Sequence, residues 1–123
     1  MMKGMLFFGG LVVLGLASGL VAALCGVGGG IILVPAFKAL GIAHKTAVAS
    51  SLAVIIPTAL IATFRNHQAE LVDWRLVGAV AAGAVVAAFF GTELMQSLGN
   101  PLLTRIFAVL LLLTGLQLLV AKA

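Results

Sequence analysis

Residues 25–35 read Cys25-Gly26-Val27-Gly28-Gly29-Gly30-Ile31-Ile32-Leu33-Val34-Pro35, three consecutive glycines set between two strongly apolar runs. Glycine takes up left-handed backbone without steric penalty. In lipid it lets two backbones approach closely, or lets a helix break with its polar groups turned toward a cavity. In a membrane protein, such a break is where a site is expected.

The rest of the chain has the composition of a membrane protein. Of 123 residues, 63% are hydrophobic and 8% charged, and the mean hydropathy is +1.32. A soluble domain is roughly 45–50% apolar. Seven Lys and Arg against three Asp and Glu give a pI near 10.0. These bases stand singly at the ends of apolar runs, which is the placement of interfacial anchors and not of a nucleic-acid surface. The sequence implies no nucleic-acid partner; the partner it does imply is the lipid bilayer. The single cysteine excludes an internal disulfide and a cysteine-rich metal site, but not a bridge between two copies. By composition alone, Cys25 reads as a small packing residue.

Upstream of the glycines, Met5 to Leu24 is about the 20 residues that one span requires. Lys3 ahead of this run and Ala22-Ala23-Leu24-Cys25 behind it imitate a secretory signal. The apolar run is longer than a signal core, however, and Leu24 stands where a lipoprotein signal has a small residue. The segment is read as a first transmembrane helix, with Gly15, Gly19 and Ala23 spaced by four on one small-residue face.

Downstream, Ile31 to Leu40 carries Pro35 and Lys38 and is too short to span unaided. It reads either as a half-helix or re-entrant segment that starts at the glycines, or as part of a short tilted span over 27–43. Gly41 to Lys45 is expected to turn, and Thr46 to Phe64 to form a helix whose Pro57 frees a carbonyl in its interior. On that helix Thr46 and Ser50 share a face, as do Ser51 and Thr58. Arg65 to Arg75 is the one extended polar stretch and reads as an interfacial loop closed by Trp74. Leu76 to about Met95, with Gly83, Ala87 and Gly91 spaced by four, is a third long run. A turn at Ser97 to Asn100 leads into a last helix from Pro101 or Leu102 to about Val120. The expected fold is an all-α integral membrane protein: four long transmembrane helices plus one short segment, a single domain over 1–123.

A helix that begins on glycine presents unpaired N–H groups and the positive end of its dipole, which suits an anion. Broken helices near the membrane midplane bind substrate in many transporters. The glycine run equally suits a tight helix crossing. It does not suit a nucleotide-binding loop, because no Lys-Ser or Lys-Thr pair follows and no strand precedes. Glu93 is the one acid within an apolar run and so a candidate for proton coupling, although near its helix end a carboxylate also reaches the interface. His44 and His67 read as interfacial residues. No metal-ligand spacing, no cofactor motif and no set of nucleophile, base and orienting acid is present, so neither a metal, a cofactor nor an enzyme is expected.

Ser18-Gly19-Leu20, Gly26-Val27-Gly28-Gly29-Gly30, Pro35, Ala47-Val48-Ala49-Ser50-Ser51 and Val72-Asp73-Trp74 occur in an order and spacing that resemble one repeat of the TauE/SafE family of sulfite exporters. The likeness covers essentially the whole chain. It implies a multi-pass protein of the cell (inner) membrane that moves small sulfur-containing anions such as sulfite or sulfonates, usually outward. The glycine motif, the family's most distinctive feature, coincides with the anion position argued from backbone physics. Together they make Cys25, Gly26, Gly28, Gly29, Gly30, Ile31, Pro35, Ser50, Ser51 and Thr58 the candidate substrate-binding residues. Ala49-Ser50-Ser51 departs from the family's usual Gly-Thr-Ser, keeping the hydroxyl at Ser50 but losing the glycine. Glu93 falls where the family has small or apolar residues, so no role carries over to it.

Family members commonly have two related halves, and this chain resembles one. A half with polar and small-residue faces is expected to bury them against a second copy, as a homodimer. With four spans, Lys3, Arg65, Arg75 and Lys122 fall on one side against Lys38, Lys45 and Arg105 on the other, four against three. So weak a bias leaves the orientation open, and an antiparallel dimer is compatible with it. Two other readings share these features: a small dimeric anion channel, and a membrane subunit that assembles with another protein without transporting anything.

Overall fold

A computed structural model describes residues 2–26 and 28–121; Val27 and Lys122, used above for the tilted span, the glycine motif and the charge balance, lie outside them. Among the described residues the chain is all helical: α1 Met2–Cys25, α2 Gly30–Ala39, α3 His44–Gln68, α4 Trp74–Ser97 and α5 Asn100–Val120. The long helices hold 24, 25, 24 and 21 residues, and all four are apolar enough to cross a membrane. At 1.5 Å per residue each exceeds the ~30 Å hydrocarbon thickness. Helix α2 has ten residues, or about 15 Å, half of that thickness. The short segment is therefore a half-helix.

Its start is fixed by glycine. Gly26, Gly28 and Gly29 have φ of 69°, 71° and 79°, and Gly29 is the N-cap of α2, its carbonyl accepting from the amides of Ile32 and Leu33 at 3.1 and 2.9 Å. Left-handed backbone cannot continue α1, so that helix ends at Cys25 and a new one starts five residues later. At the far end, Gly41 at φ 85° lets Gly41 N–H reach the Lys38 carbonyl and Ile42 N–H the Phe37 carbonyl. This is the Schellman closure of a helix C-terminus.

The helix boundaries differ from the sequence expectation around α3. It starts at His44, inside the expected turn, and runs through Arg65, Asn66, His67 and Gln68, inside the expected loop. Polar side chains mark where a span meets water, but their backbones remain good helix formers. The stop is a second Schellman closure, Glu70 N–H to the His67 carbonyl and Leu71 N–H to the Asn66 carbonyl, both 3.0 Å. Here the left-handed position holds Glu70, at φ 57°. Helix α4 begins at Trp74 because Asp73 Oδ1 caps it, accepting from the amides of Arg75 and Leu76 at 3.0 and 3.2 Å.

The chain divides into two compact units, Met1–Ile42 with Thr46–Leu71, and Ala43–Lys45 with Val72–Ala123. In the first, Ser18, Gly29, Leu33, Val34, Ala47 and Ser51 are buried. A side chain on Gly29 would meet the Ser18 carbonyl oxygen at 3.5 Å and Ala22 Cβ at 3.7 Å, so α2 begins hard against α1. The hydroxyls of Ser18 and Ser51 turn back to their own helices, onto the carbonyls of Gly15 at 3.1 Å and Val48 at 2.8 Å, so each is buried with its proton satisfied. In the second unit, α4 and α5 bury no residue. Their ends are tied to the start of α3. The Lys45 backbone amide donates to Asn100 Oδ1 at 3.1 Å and Lys45 Nζ to the Gln96 carbonyl at 2.7 Å, while buried His44 lies edge-on to Phe107 with ring centroids 5.8 Å apart.

Candidate functional site

A cavity of about 230 Å³ lies within the first unit, continuous with a wider part of about 360 Å³ that shares Gly19, Ala23, Thr58, Ala62 and Asn66. One wall comes from α1, where Gly19, Ala22, Ala23 and Gly26 recur at i, i+3, i+4 and i+7 and so occupy a single face. The opposite wall comes from α3, where Thr58, Ala62 and Asn66 lie four apart with Ala59 and Thr63 beside them. Glycine and alanine on both faces leave the space open. The small-residue face of α1 thus borders a void over part of its length, and a side chain built on Gly15 or Gly19 would meet nothing within 4 Å.

Gly28 completes the narrower part, and Ile61 and Arg65 join the wider one. Among the described residues, the polar side chains of the lining are Thr58, Thr63, Asn66 and Arg65, with no carboxylate among them. Such a lining favours negative charge, and the one full charge it holds is positive. Among the described residues, no group of three His, Cys, Asp or Glu side chains is arranged to hold a metal ion.

Of the residues expected at the site, the cavity brings together Gly26, Gly28 and Thr58. The others lie elsewhere. Cys25, Ile31, Pro35 and Ser50 are exposed and outside the lining. Gly29 is buried against α1, Gly30 faces Ile55 Cδ1 at 3.7 Å from a built Cβ, and Ser51 is 2% exposed with its hydroxyl on the Val48 carbonyl. Thr58 Oγ1 sits 3.1 and 3.0 Å from the carbonyls of Val54 and Ile55, so its proton is directed into the helix and its oxygen lone pairs remain. Glu93 is exposed on α4 in the other unit.

Arg65, Asn66, Thr63 and the alanines were not expected at a site. The signal was present in the register, since Thr58, Ala62 and Asn66 lie four apart on one face and Arg65 lies beside them, but the expectation of a loop after Phe64 cut that face short.

The sequence profile described as Sulfite exporter TauE/SafE matches residues 11–123. No curated protein and no solved structure matches the chain. Five helices with four long apolar spans, a glycine-capped half-helix and a match over nearly the full length agree, and the chain belongs to the TauE/SafE sulfite exporter family, multi-pass membrane transporters of sulfur-containing anions and not enzymes.

Proposed function

We propose that the chain exports a small sulfur-containing anion such as sulfite or a short sulfonate, that the cavity between α1 and α3 is its binding position, and that the working unit is a homodimer. The observation that carries this reading is the cavity itself, where Gly26 and Gly28 of the helix break meet Thr58 across a lining without carboxylates. Small side chains admit a compact ion, and the half-helix starts beside it with the positive end of its dipole. The absence of buried residues on α4 and α5 supports a second copy as well as lipid as their neighbour.

Ala62 lines both parts of the cavity, so Ala62→Phe fills the space without touching a capping or bonding group. Purified protein in detergent is expected to melt at a higher temperature in sulfite or methanesulfonate, because an ion bound only by the folded state stabilises by mass action. The Ala62→Phe protein is expected to keep its melting temperature without anion and to lose that rise. A rise that survives in Ala62→Phe removes the cavity from the reading. Cys25, exposed and free at the end of α1, reports the arrangement of the copies. Labelling of about half the molecules from each side of sealed vesicles means an antiparallel pair, and labelling from one side alone means a parallel one.

A further inference from the structure

The side chains that line the cavity differ in how far they are already committed. The Thr58 hydroxyl is held on helix carbonyls. By contrast, the side chains of Thr63, Asn66 and Arg65 make no hydrogen bond or ion pair among the described residues. Three donor-bearing side chains within four residues of one helix turn therefore face a cavity with their hydrogen-bonding capacity unused. A polar group beside a confined space is stabilised when a partner of opposite character enters it.

Arg65 is seven residues beyond Thr58, about 10 Å along the helix axis. Asn66 and Thr58 border both parts of the cavity, so the two parts belong to one continuous path, with Gly28 and Thr63 lining only the narrower part and Arg65 only the wider. A guanidinium offers two parallel N–H groups to two oxygens of one anion, a geometry that a compact ammonium cannot supply. The Asn66 amide adds a donor beside it, and the Thr63 hydroxyl offers another farther in, in the narrower part. The set fits a group with three equivalent oxygens and negative charge.

We infer that Arg65 and Asn66 form the recognition station of this transporter, which takes the oxygens of a sulfite or sulfonate ion in the wider part of the cavity before it reaches the narrower part lined by Gly28 and Thr63. The inference rests on the proposed transport of sulfur oxyanions and adds to it the residues that choose the ion. Arg65 supplies charge and the fork. Asn66, shared by both parts, passes the ion inward. The glycine break provides room and dipole and is not the main source of donors.

The test is equilibrium binding of sulfite and of methanesulfonate to the full chain in detergent, at two ionic strengths, for the unchanged protein and for Arg65→Gln, Arg65→Lys, Asn66→Ala and Arg75→Gln. Arg75→Gln makes the same charge change on α4, outside the cavity. A charge-assisted hydrogen bond of the usual strength makes Arg65→Gln at least about tenfold weaker for both ions, with most of the salt dependence gone. Arg65→Lys is expected to keep the salt dependence while staying several-fold weaker, Asn66→Ala to weaken binding by a smaller factor, and Arg75→Gln to bind as the unchanged protein does. Arg65 is exposed and holds no other side chain, so its variants fold, which their melting temperatures without anion verify. If the unchanged protein binds and Arg65→Gln binds equally well, the station is wrong while the transporter reading stands. If the unchanged protein binds neither ion saturably, both fall together.

Discussion

The two compact units of this chain are built from the same material and put to opposite uses. The first, with α1, α2 and most of α3, holds five of the six described side chains that are buried, a helix that starts against the side of α1, and a cavity with uncommitted donors. The second, with α4 and α5, is two long regular helices without a buried residue of their own. Hydropathy does not separate them, since all four long helices qualify as spans. What separates them is where backbone regularity is given up. Left-handed glycines, Pro35 and Pro57 all lie in the first unit, and an irregular backbone in lipid persists only where protein or a cavity satisfies it. The proposed site lies in the unit with the broken backbone, and the other unit is regular helix.

The strongest challenge to this contrast is a glycine exchange in each unit. Gly29→Leu places a side chain on left-handed backbone 3.5 Å from the Ser18 carbonyl, and the expected loss is roughly 3 kcal/mol from strain and overpacking together. Gly115→Leu on α5 meets nothing within 4 Å and is expected to raise stability by up to about 0.8 kcal/mol through helix propensity. Thermal or denaturant unfolding in detergent measures both, and equal effects would erase the distinction. Because Gly29 is a crossing point between α1 and α2, its bulky variants report folding before they report transport.

A smaller effect sharpens the comparison at two helix ends. Gly41 and Glu70 occupy the same left-handed position in equivalent closures, but only Gly41 does so without a penalty. Glu70→Gly is expected to stabilise the protein by about 1 kcal/mol. No gain in the unfolding midpoint would mean that the Glu70 side chain contributes something that offsets the strain. The smallest expected effect is that of Glu93→Gln. Glu93 is exposed on α4 and lies outside the cavity lining, so sulfite flux in proteoliposomes is expected to be unchanged. Loss of flux would move coupling into the second unit.

Most of the fold was legible because it rests on two strong signals, apolar length and glycine. The four spans follow from runs of about 20 apolar residues, and the break follows from Gly28-Gly29-Gly30. The Asp73 cap gives a physical reason for one residue of the Val72-Asp73-Trp74 motif. The continuation of α3 into Arg65–Gln68 was not legible, because hydropathy records the edge of the bilayer and not the end of the helix. The same limit bears on the donors that line the cavity. Hydroxyls were the expected donors, yet in an apolar helix a hydroxyl finds the carbonyl three or four residues back, as Ser18, Ser51, Thr58, Thr92 and Ser97 all do. The side chains left uncommitted along the cavity are Thr63, inside the expected helix, and Arg65 and Asn66, where hydropathy points to a loop.

The brevity of α2 has a consequence for how the protein is made. A segment of about 15 Å cannot leave the ribosome-bound translocation machinery for lipid as an independent span, since half the bilayer would face its ends. Its N-cap, Gly29, rests on α1, which is synthesised before it, and Gly28 and Gly30 rest on Ile55 of α3, which is synthesised after it. Insertion of α2 is therefore expected to wait for the nascent chain to deliver α3, whereas α1 is long enough to partition first. The later helices, each long enough to partition alone, carry no such dependence.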